Sequence, residues 1–257
     1  MDWGLYLAAG GVILACMVGL WLLSLAIRNA SIVDIFWGAG FVIVAWLAAL
    51  RSETTDWRGW LLTGLVTVWG VRLSLHIFLR NHAKPEDFRY AAWRAQYGQK
   101  WWWYSFFHVF ALQGGLLWVI SAPLVAASTA RGASAPHVLD GLGVAVWLVG
   151  FIFEAGGDWQ LAQFKKDPAN RGKLMTSGLW RYTRHPNYFG DAAQWWGFWL
   201  IAAAGGAWWT VFAPLLMTWL LVRVSGVAML ERSMSARPGY AEYARRTSAF
   251  FPWPPRE

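Results

Sequence analysis

Seven long runs of this chain carry almost no charge, and that pattern restricts the fold more than any other feature. They fall near 5–27, 31–50, 58–79, 105–126, 138–163, 188–204 and 207–224. Roughly 20 consecutive, mostly apolar residues carry a helix across a bilayer, and a helix meets its own backbone hydrogen bonds where no water can. Hydrophobic side chains make up 57% of the chain and charged ones only 14%, against about one quarter charged in soluble domains. The expected fold is therefore all-α: a polytopic integral membrane protein of seven transmembrane helices.

The charges that remain are one-sided. If the N-terminus lies outside, 18 of the 22 Lys and Arg fall in inner loops or the C-terminal tail; Arg51, Arg58 and Arg131 lie outside and Arg72 within a span. Such a bias sets orientation by the positive-inside rule, with the C-terminus cytoplasmic. It also explains the net charge of +8 without nucleic acid, because the basic residues sit between apolar spans. The 22 Trp cluster beside charged loops, where indoles favour the headgroup layer. Cys16 is the single cysteine, which excludes disulfides and cysteine metal sites. The first run lacks a basic leader and a cleavage site and reads as a retained helix. No internal repeat breaks the chain, so residues 1–257 read as one domain, with 1–80 and 138–257 as its two functional parts. The tail from Glu231 is too aromatic to hang free and is expected to pack on the inner face.

Ionisable residues inside apolar spans are costly and mark function. Asp34 lies one turn into the second span with Trp37 and Phe41 on its face; it is either a functional acid or a cap after Asn29, Ala30 and Ser31. Trp69, Arg72 and His76 share a stripe of the third span, with a structural ion pair from Arg72 to Asp34 or Glu154 as the plainer reading. Glu154, Asp158 and Lys165 share a face of the fifth, around Gly156 and Gly157. Two acids one turn apart, without histidines at ligand spacing, do not make a metal set; a ligand-binding polar face fits better. His82, His108 and His137 receive no role.

The most specific segment runs from Ser177 through Gly178, Leu179, Trp180, Arg181, Tyr182, Thr183, Arg184, His185, Pro186, Asn187, Tyr188, Phe189 and Gly190 to Asp191. It sets arginines, a histidine and amide or hydroxyl donors at the membrane edge, with Pro186 suited to a helix start. Arg181 and Arg184 can grip phosphate bidentately; as plain loop chemistry they are positive-inside charge and Pro-Asn a turn. Asp191 and Gln194 then enter the span. Neither the strand-to-helix G-x-G-x-x-G nor the G-x-x-x-x-G-K-[ST] phosphate loop is present.

Gly178-Leu179-Trp180, Arg184 to Asp191, the Glu154/Asp158/Lys165 face, Arg223 to Gly226, Glu231-Arg232 and Tyr240 to Trp253 together resemble the steroid 5-alpha-reductase-like integral membrane reductases, in particular bacterial members. The likeness covers residues 140–257 well and the first half more loosely, through Asn29 to Gly38 and Trp69 to Arg72. It implies a seven-helix enzyme holding NADPH and opening to the cytoplasm, with a lipid-accessible pocket for a 3-oxo-delta-4 steroid or related lipid enone, in the bacterial inner membrane and with no obligate protein partner. Cofactor contacts carried over by the resemblance are Glu154 (in place of an amide), Asp158, Lys165, Tyr182, Arg184, His185, Asn187, Tyr188, Asp191, Arg223, Glu231 and Arg232, and Arg171 and Lys173 are expected to add selectivity for the extra phosphate of NADPH. The family's carbonyl-gripping acid matches Asp34. Its tyrosine falls close to Trp69, followed by Arg72, and since an indole is a poor proton source, His76 is a candidate second donor.

Hydride attack on the beta carbon of an enone builds negative charge on the carbonyl oxygen, which a buried, protonated Asp34 would stabilise. A second class shares part of the signature: isoprenylcysteine carboxyl methyltransferases also carry Arg-His-Pro and a late Glu-Arg pair and use S-adenosylmethionine. The N-terminal spans with Asp34 and Arg72 and the surplus of phosphate-binding residues favour the reductase. A transporter would show paired repeats and broken helices, and neither is visible.

Overall fold

A computed structural model describes residues 1–130, 135–224 and 226–256. Its helices are α1 (Trp3–Ile27), α2 (Ile32–Arg51), α3 (Trp57–Asn81), α4 (Phe88–Tyr97), α5 (Trp101–Ser105), α6 (Leu112–Ile120), α7 (Ala122–Ser128), α8 (Val138–Lys166), α9 (Pro186–Ala204), α10 (Phe212–Trp219), α11 (Val227–Met234) and α12 (Tyr240–Arg246). Among the described residues there is no strand, only an isolated bridge between Thr183 and Ser248. Among the described residues six helical stretches are long and apolar enough to cross a membrane: α1, α2, α3, Phe88–Ile120, α8 and Trp208–Met234. Helix α9 holds the sixth uncharged run in 19 residues. It is not one of the six; Asn187, Gly190, Asp191, Gln194 and Gly197 dilute its apolar content.

The fourth run differs from its sequence expectation. Helix begins at Phe88, because the Asp87 side chain caps the Arg89 amide, and continues past a turn at Gly98 and through a π-helical stretch, Phe106–Ala111, into α6. Residues 88–100 looked like loop because α4 is amphipathic rather than apolar. His137, given no role above, starts α8: its ring accepts from the Leu139 amide at 3.2 Å while Asp140 accepts from the His137 amide at 2.7 Å. Arg131 and Ser225 lie outside the described residues.

The chain divides into two compact units, one of residues 1–135 with 205–210, the other of residues 136–204 with 211–257. In the first, α2 and α3 touch through glycines: a Cβ on Gly38 would stand 2.2 Å from the Gly70 carbonyl oxygen. Phe41, Val66, Trp69, Phe110 and Leu117 are buried there, and Trp3 rests against Trp209 with ring centroids 6.4 Å apart. In the second, α8 and α9 close at three levels, Gly143 on Gly197, Gly150 on Gly190 and Gly157 on Pro186. A Cβ on Gly190 would meet the Glu154 amide nitrogen at 2.3 Å, so this approach, which brings α9's polar residues against the α8 acids, is open only to glycine.

Candidate functional site

Two polar centres emerge, one in each unit. In the first, α1 ends at Arg28 in the left-handed region (φ 53°). Asn29 then accepts from the Ser31 amide at 2.9 Å and Glu86 from the Ala30 amide at 2.7 Å, while the Asp87 amide donates to Ser31 Oγ at 2.8 Å. These bonds fix the loop before α4 against the start of α2, where Asp34 occupies the first turn. Tyr90 Oη donates to Asp34 Oδ1 at 2.8 Å and Arg89 Nη2 to Oδ2 at 3.2 Å. Gln113 Nε2 donates to Tyr90 Oη at 3.1 Å, and Trp37 Nε1 to Gln113 Oε1 at 2.5 Å.

An indole N–H can only donate, so Trp37 fixes which end of the Gln113 amide faces Tyr90. That amide end donates, and the phenol proton is therefore directed onto Asp34. As arranged, one Asp34 oxygen accepts from the Tyr90 phenol and the other from the Arg89 guanidinium. Arg89 also reaches Asp87 at 2.8 Å. Burial alone would raise the Asp87 carboxyl, but hydrogen bonds and charge from Arg89 outweigh it and hold that group below its ordinary value.

Of the expected partners of Asp34, Trp69 is buried on α3 with its ring 5.7 Å from Phe41, which lies 5.9 Å from Trp37. An aromatic ladder thus joins Trp69 to the helix of Asp34. Arg72 and His76 are half-buried further along α3. The phenol that meets Asp34 is Tyr90, which sequence reasoning missed along with Arg89 and Gln113. Their signal was faint: Tyr90 lies 56 residues from Asp34 in a stretch read as loop.

In the second unit Glu154 and Asp158 are both buried on α8. Gln194 Nε2 donates to Glu154 Oε2 at 2.5 Å and Asn187 Nδ2 to Asp158 Oδ1 at 3.0 Å, so the two acids of one face meet two amides of α9. Gln194 is completely buried, and its Oε1 has no hydrogen-bond partner among the described residues. Trp180 Nε1 donates to the Gly157 carbonyl at 3.1 Å, and Gln160 accepts from the Leu179 amide at 3.0 Å, which pins the Gly178–Arg181 turn to α8.

Arg184 turns inward. Its Nε and Nη2 grip Glu231 at 2.9 and 2.8 Å, and Nη1 donates to the Ala244 and Thr247 carbonyls at 3.0 and 2.5 Å. Most of the fork is spent inside the chain, so as placed Arg184 ties α11 and α12 together rather than presenting itself to a phosphate. His185 Nε2 lies 2.8 Å from Glu231 Oε1, which also accepts from Tyr240 at 2.6 Å. Burial, helped by the Arg184 charge, pushes the imidazole below its ordinary value against the pull of Glu231. Burial and Glu231 together push the Tyr240 phenol up to about 12.

Tyr188 stacks on His185 at 5.8 Å, and a Cβ on Gly226 would meet its ring at 3.1 Å. Asp191 is half-buried on α9, while Lys165, Arg171, Lys173, Tyr182, Arg223 and Arg232 are exposed. The structure thus gathers Arg184, His185 and Glu231 into one cluster and Glu154, Asp158 and Asn187 into another, and leaves the remaining cations at the surface. The tail is strapped down as expected: Arg184 N donates to Ser248 O and Trp253 N to Tyr182 O, both at 2.9 Å.

A family profile described as "Protein of unknown function (DUF1295)" matches residues 20–247. The chain belongs to this family. DUF1295 falls in the steroid 5-alpha-reductase-like superfamily. An uncharacterized protein of Schizosaccharomyces pombe is 26% identical, over 94% of this chain and 78% of its own. The 3-oxo-5-alpha-steroid 4-dehydrogenase 1 of Rattus norvegicus is 35% identical over 32% of this chain and 30% of its own. A "Probable O-methyltransferase ustE" of Ustilaginoidea virens is 28% identical over 53% of this chain and 44% of its own. The chain thus spans less than half of the two named enzymes. No solved structure matches. The apolar helices point to a multi-pass membrane protein.

Proposed function

We propose that this DUF1295 protein is an NADPH-dependent reductase of the delta-4 double bond of 3-oxo steroids or a related lipid enone. The observation that carries this reading is Asp34 hydrogen-bonded to Tyr90, an acid and a phenol paired where the resemblance calls for a carbonyl-gripping acid and tyrosine. Tyr90, rather than Trp69 or His76, takes the part of the second donor. As charge develops on the enolate oxygen the Tyr90 hydroxyl turns its single proton from Asp34 to that oxygen, while Gln113 Nε2, still donating to Tyr90 Oη, keeps the phenol in place. Gln113 Nε2 and the Arg89 guanidinium, 5.3 Å over the Tyr90 ring, stabilise the phenolate that remains. Arg72 and Trp69 line the same helical stripe beside the substrate.

The donor set of the second unit fits a dinucleotide. Glu154 and Asp158 offer carboxylate acceptors, Asn187 an amide, and Gln194 Oε1 a buried acceptor that a carboxamide N–H would satisfy. Lys165, Arg171, Lys173, Arg223 and Arg232 supply charge for phosphates, with Tyr182, Tyr188 and Asp191 beside them; Arg184, His185 and Glu231 act by holding this region together. NADPH, when bound, supplies the hydride. The proposal includes seven spans in one working domain, an outer N-terminus, and a cofactor side facing the cytoplasm of an inner membrane.

The second reading, an S-adenosylmethionine-dependent methyltransferase, is favoured by the partial likeness to the Ustilaginoidea virens protein. One experiment separates the two. Purified protein is incubated with NADPH and testosterone or progesterone, with S-adenosylmethionine in parallel, and products are followed by mass spectrometry. A steroid heavier by two hydrogens is expected; binding of S-adenosylmethionine without NADPH would replace the reductase by the methyltransferase.

A further inference from the structure

An open cavity in the unit of residues 136–204 and 211–257 adjoins the Arg184 cluster through Thr247 but is not lined by Arg184, His185 or Glu231. It encloses about 550 Å³ and is lined by Thr176, Arg181, Glu242, Arg246, Thr247 and Arg256 among others. The strap that closes the C-terminal tail builds it: Arg256 N donates to Arg246 O at 2.9 Å and Tyr243 Oη to Trp180 O at 2.5 Å, which draws three arginines from separate segments to one rim. Glu242, the acid in the lining, is engaged by Arg245 and by Arg246, the latter at 3.6 Å. Among the described residues no carboxylate is recorded against the side chain of Arg181 or Arg256, so the cavity keeps a cationic surplus. On the same tail Phe251 and Trp253 are each 69% exposed. Holding two large rings in water is unfavourable unless they reach an apolar phase, and indoles beside arginines are the side chains of the bilayer interface.

We propose that this cavity binds the phosphate of an anionic phospholipid headgroup from the surrounding membrane, with Arg181, Arg246 and Arg256 on the phosphate oxygens and Phe251 and Trp253 dipping toward the acyl chains. Guanidinium forks match phosphate oxygens in pairs, and the two rings choose a lipid over a soluble ion carrying the same oxygens. This inference stands apart from the reductase reading, since it uses neither Asp34 nor the acids of α8.

The test is native mass spectrometry of the full chain in detergent with added phosphatidylglycerol or phosphatidylcholine. The wild type retains phosphatidylglycerol selectively. Arg181→Gln with Arg256→Gln weakens retention roughly 25-fold, from about fivefold per arginine at an anionic surface, while Glu242→Gln tightens it, a change of sign that a damaged fold does not mimic. Equal retention by wild type and double variant overturns the inference. So does displacement of the lipid by millimolar inorganic phosphate acting through the same arginines, which makes the occupant a free anion. Loss of NADPH binding in the double variant with lipid retention unchanged would assign the cavity to the cofactor instead.

Discussion

Asp34 and the Glu154/Asp158 pair are both acids at helix faces in apolar surroundings, yet they keep different company. Asp34 is met by a guanidinium and a phenol from α4. Glu154 and Asp158 are met by the amides of Gln194 and Asn187 on the neighbouring α9. A cation and a directed phenol make a centre suited to moving a proton, whereas carboxylates held by amides make one suited to reading the hydrogen-bond pattern of a ligand. Carboxylates in similar apolar settings thus take their roles from the partner at the other end of each hydrogen bond.

Substitutions can break that division. Tyr90→Phe and Asp34→Asn are each expected to cost about 10³-fold in turnover of a steroid enone while leaving NADPH binding intact, in the range of a lost proton donor; Glu154→Gln should do the reverse, weakening NADPH binding in a titration more than it slows turnover. Equal effects at both centres would erase the distinction. Next in size, Gly190→Val forces a branched side chain against the Glu154 backbone and should lower stability by about 3 kcal/mol, read as a fall in thermal midpoint in detergent, with loss of the α8 centre before the α2 centre. Glu231→Ala leaves Arg184, which is only 10% exposed, without its counter-charge and is expected to cost about 2 kcal/mol. Gln113→Leu removes the bond that orients Tyr90, and a roughly tenfold fall in kcat with KM unchanged would sharpen the proton-handling role.

The smallest effect is in pH. His185 has its folded value below the ordinary 6.5, so as acid is added the unfolded chain takes up its proton first. The stabilising contribution is whole above pH 6.5 and drains away as pH falls below it toward the folded value. Thermal midpoints compared at pH 7.5 and 5 should show this slope, and His185→Asn should flatten it.

What could be read from the sequence follows from how far apart partners lie. Glu154 and Asp158 are one turn apart on a single helix, and their face was visible from spacing. Of the seven uncharged runs, six fall in helices that are long and apolar enough to cross a membrane among the described residues, because bilayer length is a local constraint; the run at 188–204 does not, its apolar content being diluted by the polar residues of α9. The tail's aromatic composition gave its packing. Tyr90 was hidden because α4 is amphipathic and its bond to Asp34 crosses 56 residues, and no periodicity connects them. Spacing marks Arg184 as a phosphate-binding arginine, whereas in the structure it grips Glu231, 47 residues away, and the Ala244 and Thr247 carbonyls, backbone atoms that side-chain patterns do not reveal.

The short return of residues 205–210 to the first unit, where Trp209 meets Trp3, has a genetic consequence. No single breakpoint in the gene separates the two units, since a cut after residue 135 strands six residues of the first inside the reading frame of the second. Shuffling of halves among relatives, or co-expression of two fragments, would leave one fragment short of a piece that the other encodes. A working chimera would have to transplant the 205–210 segment together with the first 135 residues.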